Sequence, residues 1–230
     1  MQIQEFVQAV HYNTKLNPKL WIGTTLRHDV RLKLLNIAKD FVKFIALPIK
    51  LKDVTISGSN ASYGYGDHSD IDLHLVVTMP ENPAIRELYD AKKNNYNFKH
   101  AIKIHNIDVE VYVQDELQPH HSAGIYSILD NKWLSKPSNR KPNVEDKEVR
   151  QKARNYSSMI NKALQSDDLN TVQDVIADLK RLRQAGLDAG GEFSIENLAY
   201  KLLRGRGKID KLHRHLQRLT DSNLSLENMI

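Results

Sequence analysis

Ile56-Ser57-Gly58-Ser59, followed after the gap Asn60 to Ser69 by Asp70-Ile71-Asp72-Leu73, is the stretch that decides how this chain reads. It joins a tight, phosphate-sized turn to two carboxylates. Successive side chains of a strand alternate faces, so Asp70 and Asp72 point one way while Ile71, Leu73 and Leu75 point into a core. Two carboxylates held roughly 6 to 7 Å apart along a strand can share divalent metal ions, the arrangement that phosphoryl and nucleotidyl transfer require.

Periodicity places this motif in a mixed fold. Upstream, Leu26, Val30, Leu34, Ile37, Phe41 and Phe44 recur at three- and four-residue steps, which predicts a helix over 25–47 that Pro48 ends. Val54 to Ser57 and Asp70 to Thr78 read as strands around a Gly-, Asn- and Ser-rich turn. Asn82-Pro83 is a helix start signal, and Ile85, Leu88, Tyr89 and Tyr96 form the expected buried stripe of a helix reaching Lys99. Ile107 to Val113 alternates strictly, with four aliphatics on one face and Asp108, Glu110 and Tyr112 on the other, which makes a second acidic strand. Tyr126 to Leu129 and Lys132 to Ser135 flank Asp130-Asn131 as a small hairpin. Proline, serine, asparagine and charge gather between Pro137 and Asp146, the best domain boundary. Four helical patterns follow, at 149–164, 169–187, 195–203 and 209–219, and no internal repeat is present.

Composition narrows the chemistry. The 230 residues are 40% hydrophobic, enough to bury a real core, and contain no cysteine, so disulfides, thiolate metal sites and thiol nucleophiles are excluded. Any metal must be held by oxygen or imidazole. No apolar run approaches the roughly 20 residues that span a bilayer, and the N-terminus lacks the basic and apolar regions of a signal peptide, so no membrane role and a cytoplasmic location are expected. A net charge of +5 is mild, but seven basic residues (Lys201, Arg204, Arg206, Lys208, Lys211, Arg214, Arg218) face one acid, Asp210, near the C-terminus. That run suits a polyphosphate or nucleic-acid surface, or a solvated helix face poor in aromatics for base stacking.

The order strand, Gly-Ser turn, Asp-x-Asp strand, helix, acidic strand resembles the DNA polymerase β-like nucleotidyltransferase superfamily over about Val54 to Val113. More of the head, including Ser69 to Leu75, Asp108 to Asp115 and His120-His121-Ser122, looks like nucleotidyltransferases of tailed phages. The resemblance implies an α+β fold, with a small mixed sheet flanked by helices as catalytic head over residues 1–140, N-terminal helices included, and a helical domain over 145–230 that could bind the acceptor. It further implies that Gly58, Ser59, Asn60 and Ser69 bind the triphosphate and that Asp70 and Asp72 hold Mg2+, with Mn2+ as substitute. A third carboxylate completes the metal site. Glu110 is favoured there because Val109 and Val111 flank it as the family's third-strand acid is flanked; Asp108, on the same face, is the alternative. Where other branches often carry a glycine four residues after the serine, this chain has Tyr63, with Gly64 and Gly66 beyond it.

Other residues carry competing readings. His68 and His74 share parity with Asp70 and Asp72, so a row of His-x-Asp-x-Asp-x-His could hold zinc or manganese, or the histidines could be ordinary hydrogen-bonding groups. His120 and His121 could touch a substrate or pack a loop, and Tyr63, Tyr65 and Tyr126 could stack on a base or be buried. The resemblance implies an enzyme that moves a nucleoside monophosphate from an NTP, ATP being the expected donor, to a hydroxyl of RNA, protein or a small molecule. The competing classes are a catalytically silent nucleotide- or partner-binding module and an antitoxin-like enzyme that adenylylates a partner protein. If the chain is phage-encoded, the expected compartment is the host cytoplasm.

Overall fold

The computed structural model describes residues 12–67, 69–118, 122–138 and 144–225. They divide into two compact units, one within residues 11–141 and one within 142–230. The first contains β1 (Trp21–Ile22), β2 (Thr25–Leu26), α1 (His28–Ile45), β3 (Leu51–Ser57), β4 (Ile71–Val77), α2 (Pro83–Lys99), β5 (Lys103–Ile104), β6 (Ile107–Asp115), β7 (Ile125–Ser127) and β8 (Lys132–Ser135). A single 3-10 turn, Ser59–Ala61, follows Gly58. The second unit is helical: α3 (Asp146–Ala163), α4 (Leu169–Gly190), α5 (Ile195–Gly205) and α6 (Lys208–Leu224), with a 3-10 turn at Gly191–Phe193.

Six strands form a mixed sheet in the order β5-β6-β4-β3-β7-β8, while β1 and β2 make a separate hairpin. Only β4 and β6 run parallel, because α2 carries the chain back between them; the other pairs are antiparallel. The register sets Ile71 opposite Val109 and Leu73 opposite Val111 on β6, and Leu73 opposite Ile56 on β3. Cross-strand partners share a face, so these residues join one apolar surface, and all are buried in a core with Val30, Leu34, Phe41 and Ile45 of α1. The opposite face presents Ser57, Asp72 and Glu110 side by side.

Helix α2 guards the outer edge of β6. Asn82 caps its start, accepting a hydrogen bond from the Ala84 N–H at 2.9 Å, and Pro83 occupies the first turn, where its missing N–H is harmless. Beyond the two residues of β5 the edge of β6 would be open; there Asn97 receives the Val111 N–H at 3.0 Å and donates to the Val111 carbonyl at 2.9 Å, standing in for a strand. The buried line of α2 runs through Tyr89 and Tyr96, two turns apart, whose hydroxyls bond Pro48 and Asp40 of the α1 side. Leu88, expected in that stripe, is instead 40% exposed, because a helix advances 100° per residue and Leu88 turns away from the line its neighbour Tyr89 follows.

Of the N-terminal region, the described residues contribute one helix and the β1–β2 hairpin, whose Trp21 stacks on Trp133 at 4.8 Å. In the helical unit, Val149, Tyr156, Ile160, Val172, Leu179, Leu198, Leu203 and Leu212 supply the core. Asp168 and Ser194 cap α4 and α5 with their side chains. Two members of the basic run serve this unit internally: Lys201 pairs with Glu192 at 3.1 Å, and Lys208 donates to Ser157 and Asn161. Among the described residues no helix is long and apolar enough to cross a membrane.

Candidate active site

The parallel pairing of β4 with β6 builds the site. It sets Asp72 directly opposite Glu110, and Asp70 ends the loop that leads into β4 on the same side. One carboxylate oxygen from each of Asp70, Asp72 and Glu110 lies within 4.8 Å of the other two, and all three residues are half-buried. They are the one group of three or more acidic or imidazole side chains, among the described residues, that could hold a metal ion. Three like charges this close repel unless protons or cations offset them, and a set of hard oxygen donors matches Mg2+ or Mn2+ in ligand type.

Asp108, the alternative third ligand, stands outside this group. Its direct cross-strand partner is Lys103 of β5, with which it forms an ion pair at 3.0 Å in solvent. Sequence parity put Asp108 and Glu110 on one face, but only the register with β4 separates them. His74 also stands apart: its Nε2 lies 3.0 Å from Ser57 Oγ, and its ring stacks on Tyr112 with centroids 4.9 Å apart. His68, His120 and His121 lie outside the described residues.

The alternation of β6 places Tyr112 only on the polar face. Its hydroxyl donates to Glu110 Oε2, which fixes one oxygen of that carboxylate. Burial first, then the charges of Asp72, Glu110 and Asp70, push the phenol far above its ordinary pKa, so it remains a donor at any physiological pH. The even-numbered alternation of β6 already held the signal, since a tyrosine two residues past an acid on one strand face reaches it.

The turn is built around close approach. Gly58 has φ +72°, and a Cβ placed on it would fall 1.8 Å from Asp72 Oδ2. The Asp72 carboxylate therefore rests against the glycine backbone, which only glycine permits. The Gly58 N–H donates to Ser122 Oγ at 2.8 Å, a pairing across 64 residues that no local pattern encodes. Ser59 Oγ donates to Ser69 Oγ at 2.9 Å, and the Gly66 N–H donates to the same oxygen, so Ser59 and Ser69 tie the two ends of the loop together.

Asn60 does not face this turn's open side. It is fully buried, and its Nδ2 donates to the carbonyls of Ser69 at 3.1 Å and Asp70 at 2.7 Å, while its Oδ1 accepts from Asn17 Nδ2 at 2.8 Å. Trp21 Nε1 donates to its backbone carbonyl. An expected phosphate contact is thus an internal clamp that fixes where Asp70 begins. Asn60→Ala should cost about 2 to 4 kcal/mol in urea unfolding, because several buried groups lose partners together. A loss below about 0.5 kcal/mol would show that the clamp carries no load.

The tyrosines divide by burial. Tyr126 is buried edge-on against Trp21 and Trp133, each at 5.1 Å, and is a core residue and not a platform for a base. Tyr63 is half-buried beside Tyr12, and Tyr65 is half-buried with its phenol pKa raised by that burial.

No protein-family model matches the chain, and no curated protein matches it in sequence. Among solved structures, the STING-associated CdnE c-di-GMP synthase of Capnocytophaga granulosa aligns over 86% of this chain and 83% of its own, at 11% identity and TM-score 0.25. The spectinomycin adenyltransferase AAD(9) of Enterococcus faecialis, solved with ATP and spectinomycin, aligns over 81% of this chain and 99% of its own, at 14% identity and TM-score 0.25. Both similar structures are nucleotidyl-transferring enzymes, and neither bears on the likeness to tailed-phage proteins. Scores this low leave the assignment of function to the side chains of the site.

Proposed function

We propose that the chain is a metal-dependent nucleotidyltransferase, moving a nucleoside monophosphate from an NTP, with ATP as the expected donor, to an acceptor hydroxyl. The observation that carries this reading is the convergence of Asp70, Asp72 and Glu110 within 4.8 Å beside the Gly58 turn. Those three carboxylates would hold Mg2+ or Mn2+. Bound there, the metal would neutralise triphosphate charge and lower the pKa of the attacking hydroxyl.

The chain's own residues do the rest. Gly58 lets the Asp72 carboxylate rest against the backbone of the turn, and the Ser59 and Ser69 hydroxyls, now bonded to each other, can turn to phosphate oxygens. Tyr112 keeps Glu110 oriented. In the transfer an acceptor oxygen bonds to the α-phosphorus, the bond from that phosphorus to pyrophosphate breaks, and the hydroxyl proton leaves to solvent.

The test is pyrophosphate release from each of the four NTPs with Mg2+ or Mn2+, against RNA, protein extract and metabolite pools. We expect release that requires the divalent ion and stops with EDTA. Nucleotide binding without release under every condition would sink the proposal in favour of a silent module.

A further inference from the structure

Beside the acidic cluster the polar face of the sheet carries a second row of side chains. The first row is Ser57, Asp72 and Glu110, in register across β3, β4 and β6. Two residues along each strand lies the second row, Thr55, His74 and Tyr112. The rows are braced diagonally. His74 Nε2 reaches back to Ser57 Oγ at 3.0 Å, and the Tyr112 hydroxyl reaches back to Glu110 Oε2. Between these braces the His74 and Tyr112 rings, direct cross-strand partners, stack within 18° of parallel with centroids 4.9 Å apart.

Each link restrains the next. Among the described residues the Glu110 side chain takes one hydrogen bond, the one from Tyr112, and a long carboxylate side chain samples many rotamers unless something holds it. Tyr112 itself borders a cavity of about 450 Å³ lined also by Arg86, Asp90 and Lys93 of α2, so on that side the phenol has room to turn away. The stacked His74 ring covers one face of it and keeps it over Glu110. Ser57, only 4% exposed on β3, holds the His74 ring in turn.

The consequence falls on the metal. Tyr112 engages one oxygen of Glu110 and leaves the other to an ion. Mg2+ and Mn2+ suit a tight octahedral set of oxygens, whereas the larger Ca2+ takes more oxygens and readily accepts both from one carboxylate. We infer that Ser57, His74 and Tyr112 are positioning residues that hold Glu110 to a single free oxygen and so bias the site toward a small octahedral ion and against Ca2+. This rests on the reading that Asp70, Asp72 and Glu110 hold the metal of nucleotidyl transfer. Hydrogen-bonded partners of a ligating carboxylate commonly carry about ten- to a hundredfold of metal affinity, so the effect is large enough to read on the ion alone.

The test uses the full chain without nucleotide. Mn2+ binding is followed by electron paramagnetic resonance, with Ca2+ as competitor. Tyr112→Phe keeps the stacked ring and removes the hydroxyl. Its Mn2+ affinity should fall about tenfold or more, while Ca2+, free to take both oxygens of Glu110, should lose less or gain, so the preference for Mn2+ narrows severalfold. His74→Ala opens the stack and should act in the same direction; His74→Phe restores a ring without the bond to Ser57 and should recover part of the loss. Should His74→Ala not fold, Ser57→Ala reads the same link and should narrow the preference too. A general loosening of the site would weaken both ions alike. Wild-type binding by Tyr112→Phe, equal losses for both ions, or wild-type binding by His74→Ala overturns the inference and leaves the nucleotidyltransferase reading standing. A narrowed preference in a chain that releases pyrophosphate from no NTP supports the inference and overturns that reading. A wild type that binds no divalent ion overturns both.

Discussion

Asp72→Asn should abolish nucleotidyl transfer and leave the fold intact. Asp72 stands between the other two acids of the cluster: it is paired in register with Glu110, and Asp70 precedes it by two residues on the same side. Asparagine keeps the shape that rests on Gly58 and removes the charge. Several kcal/mol of transition-state stabilisation depend on the ions these carboxylates hold, and at 1.36 kcal/mol per tenfold that is a loss of about 10³-fold or more in kcat/KM. The Tm without divalent ions should hold or rise, because one of three crowded like charges is gone. Glu110→Gln should act in the same direction. Asp108→Asn, which breaks only an exposed ion pair with Lys103, should change the rate by less than about twofold. Steady-state pyrophosphate release across these variants, with Mn2+ binding followed by electron paramagnetic resonance, gives the answer. A fully active Glu110→Gln would move the third ligand elsewhere.

The contrast between Glu110 and Asp108 also marks how far sequence could go. Strict alternation in Ile107–Val113 put both acids on one face, and that was correct as far as parity reaches. The preference for Glu110 rests in the sequence on the resemblance alone; its physical ground is the parallel register of β4 on β6, which no local pattern encodes, since the two strands are joined by a 17-residue helix. Elements with long periodic signals were legible: α1, α2, β4, β6 and the four C-terminal helices all lie near their expected places. The two-residue strands β1, β2 and β5 were not, because two residues show no period.

Asn60 was misread for a related reason. An asparagine beside a Gly-Ser turn suits a phosphate as well as it suits a buried backbone clamp, and only the approach of Asn17 and Trp21 from far along the chain decides between them.

Gly58→Ala should be the most damaging substitution outside the carboxylates, and its damage should depend on Asp72. The backbone at φ +72°, ψ −160° lies in a region essentially reserved for glycine and costs a residue with a Cβ about 1 to 3 kcal/mol by itself. The new methyl would also sit 1.8 Å from Asp72 Oδ2 and 2.9 Å from its Cγ, so either the turn or the carboxylate must move. Displacing a reacting group by about 1 Å can cost about 10²-fold in rate, and transfer should fall at least that far. Asp72→Ala removes the two clashing atoms and leaves its own Cβ at 3.6 Å, an ordinary contact. In that background Gly58→Ala should therefore cost only the backbone strain. The two substitutions should be non-additive in stability, with the double variant more stable than the sum of the singles implies. Urea unfolding of the four proteins of the cycle measures this directly. Additivity would mean that Gly58 serves the turn alone, and that the Asp72 carboxylate does not depend on the missing side chain.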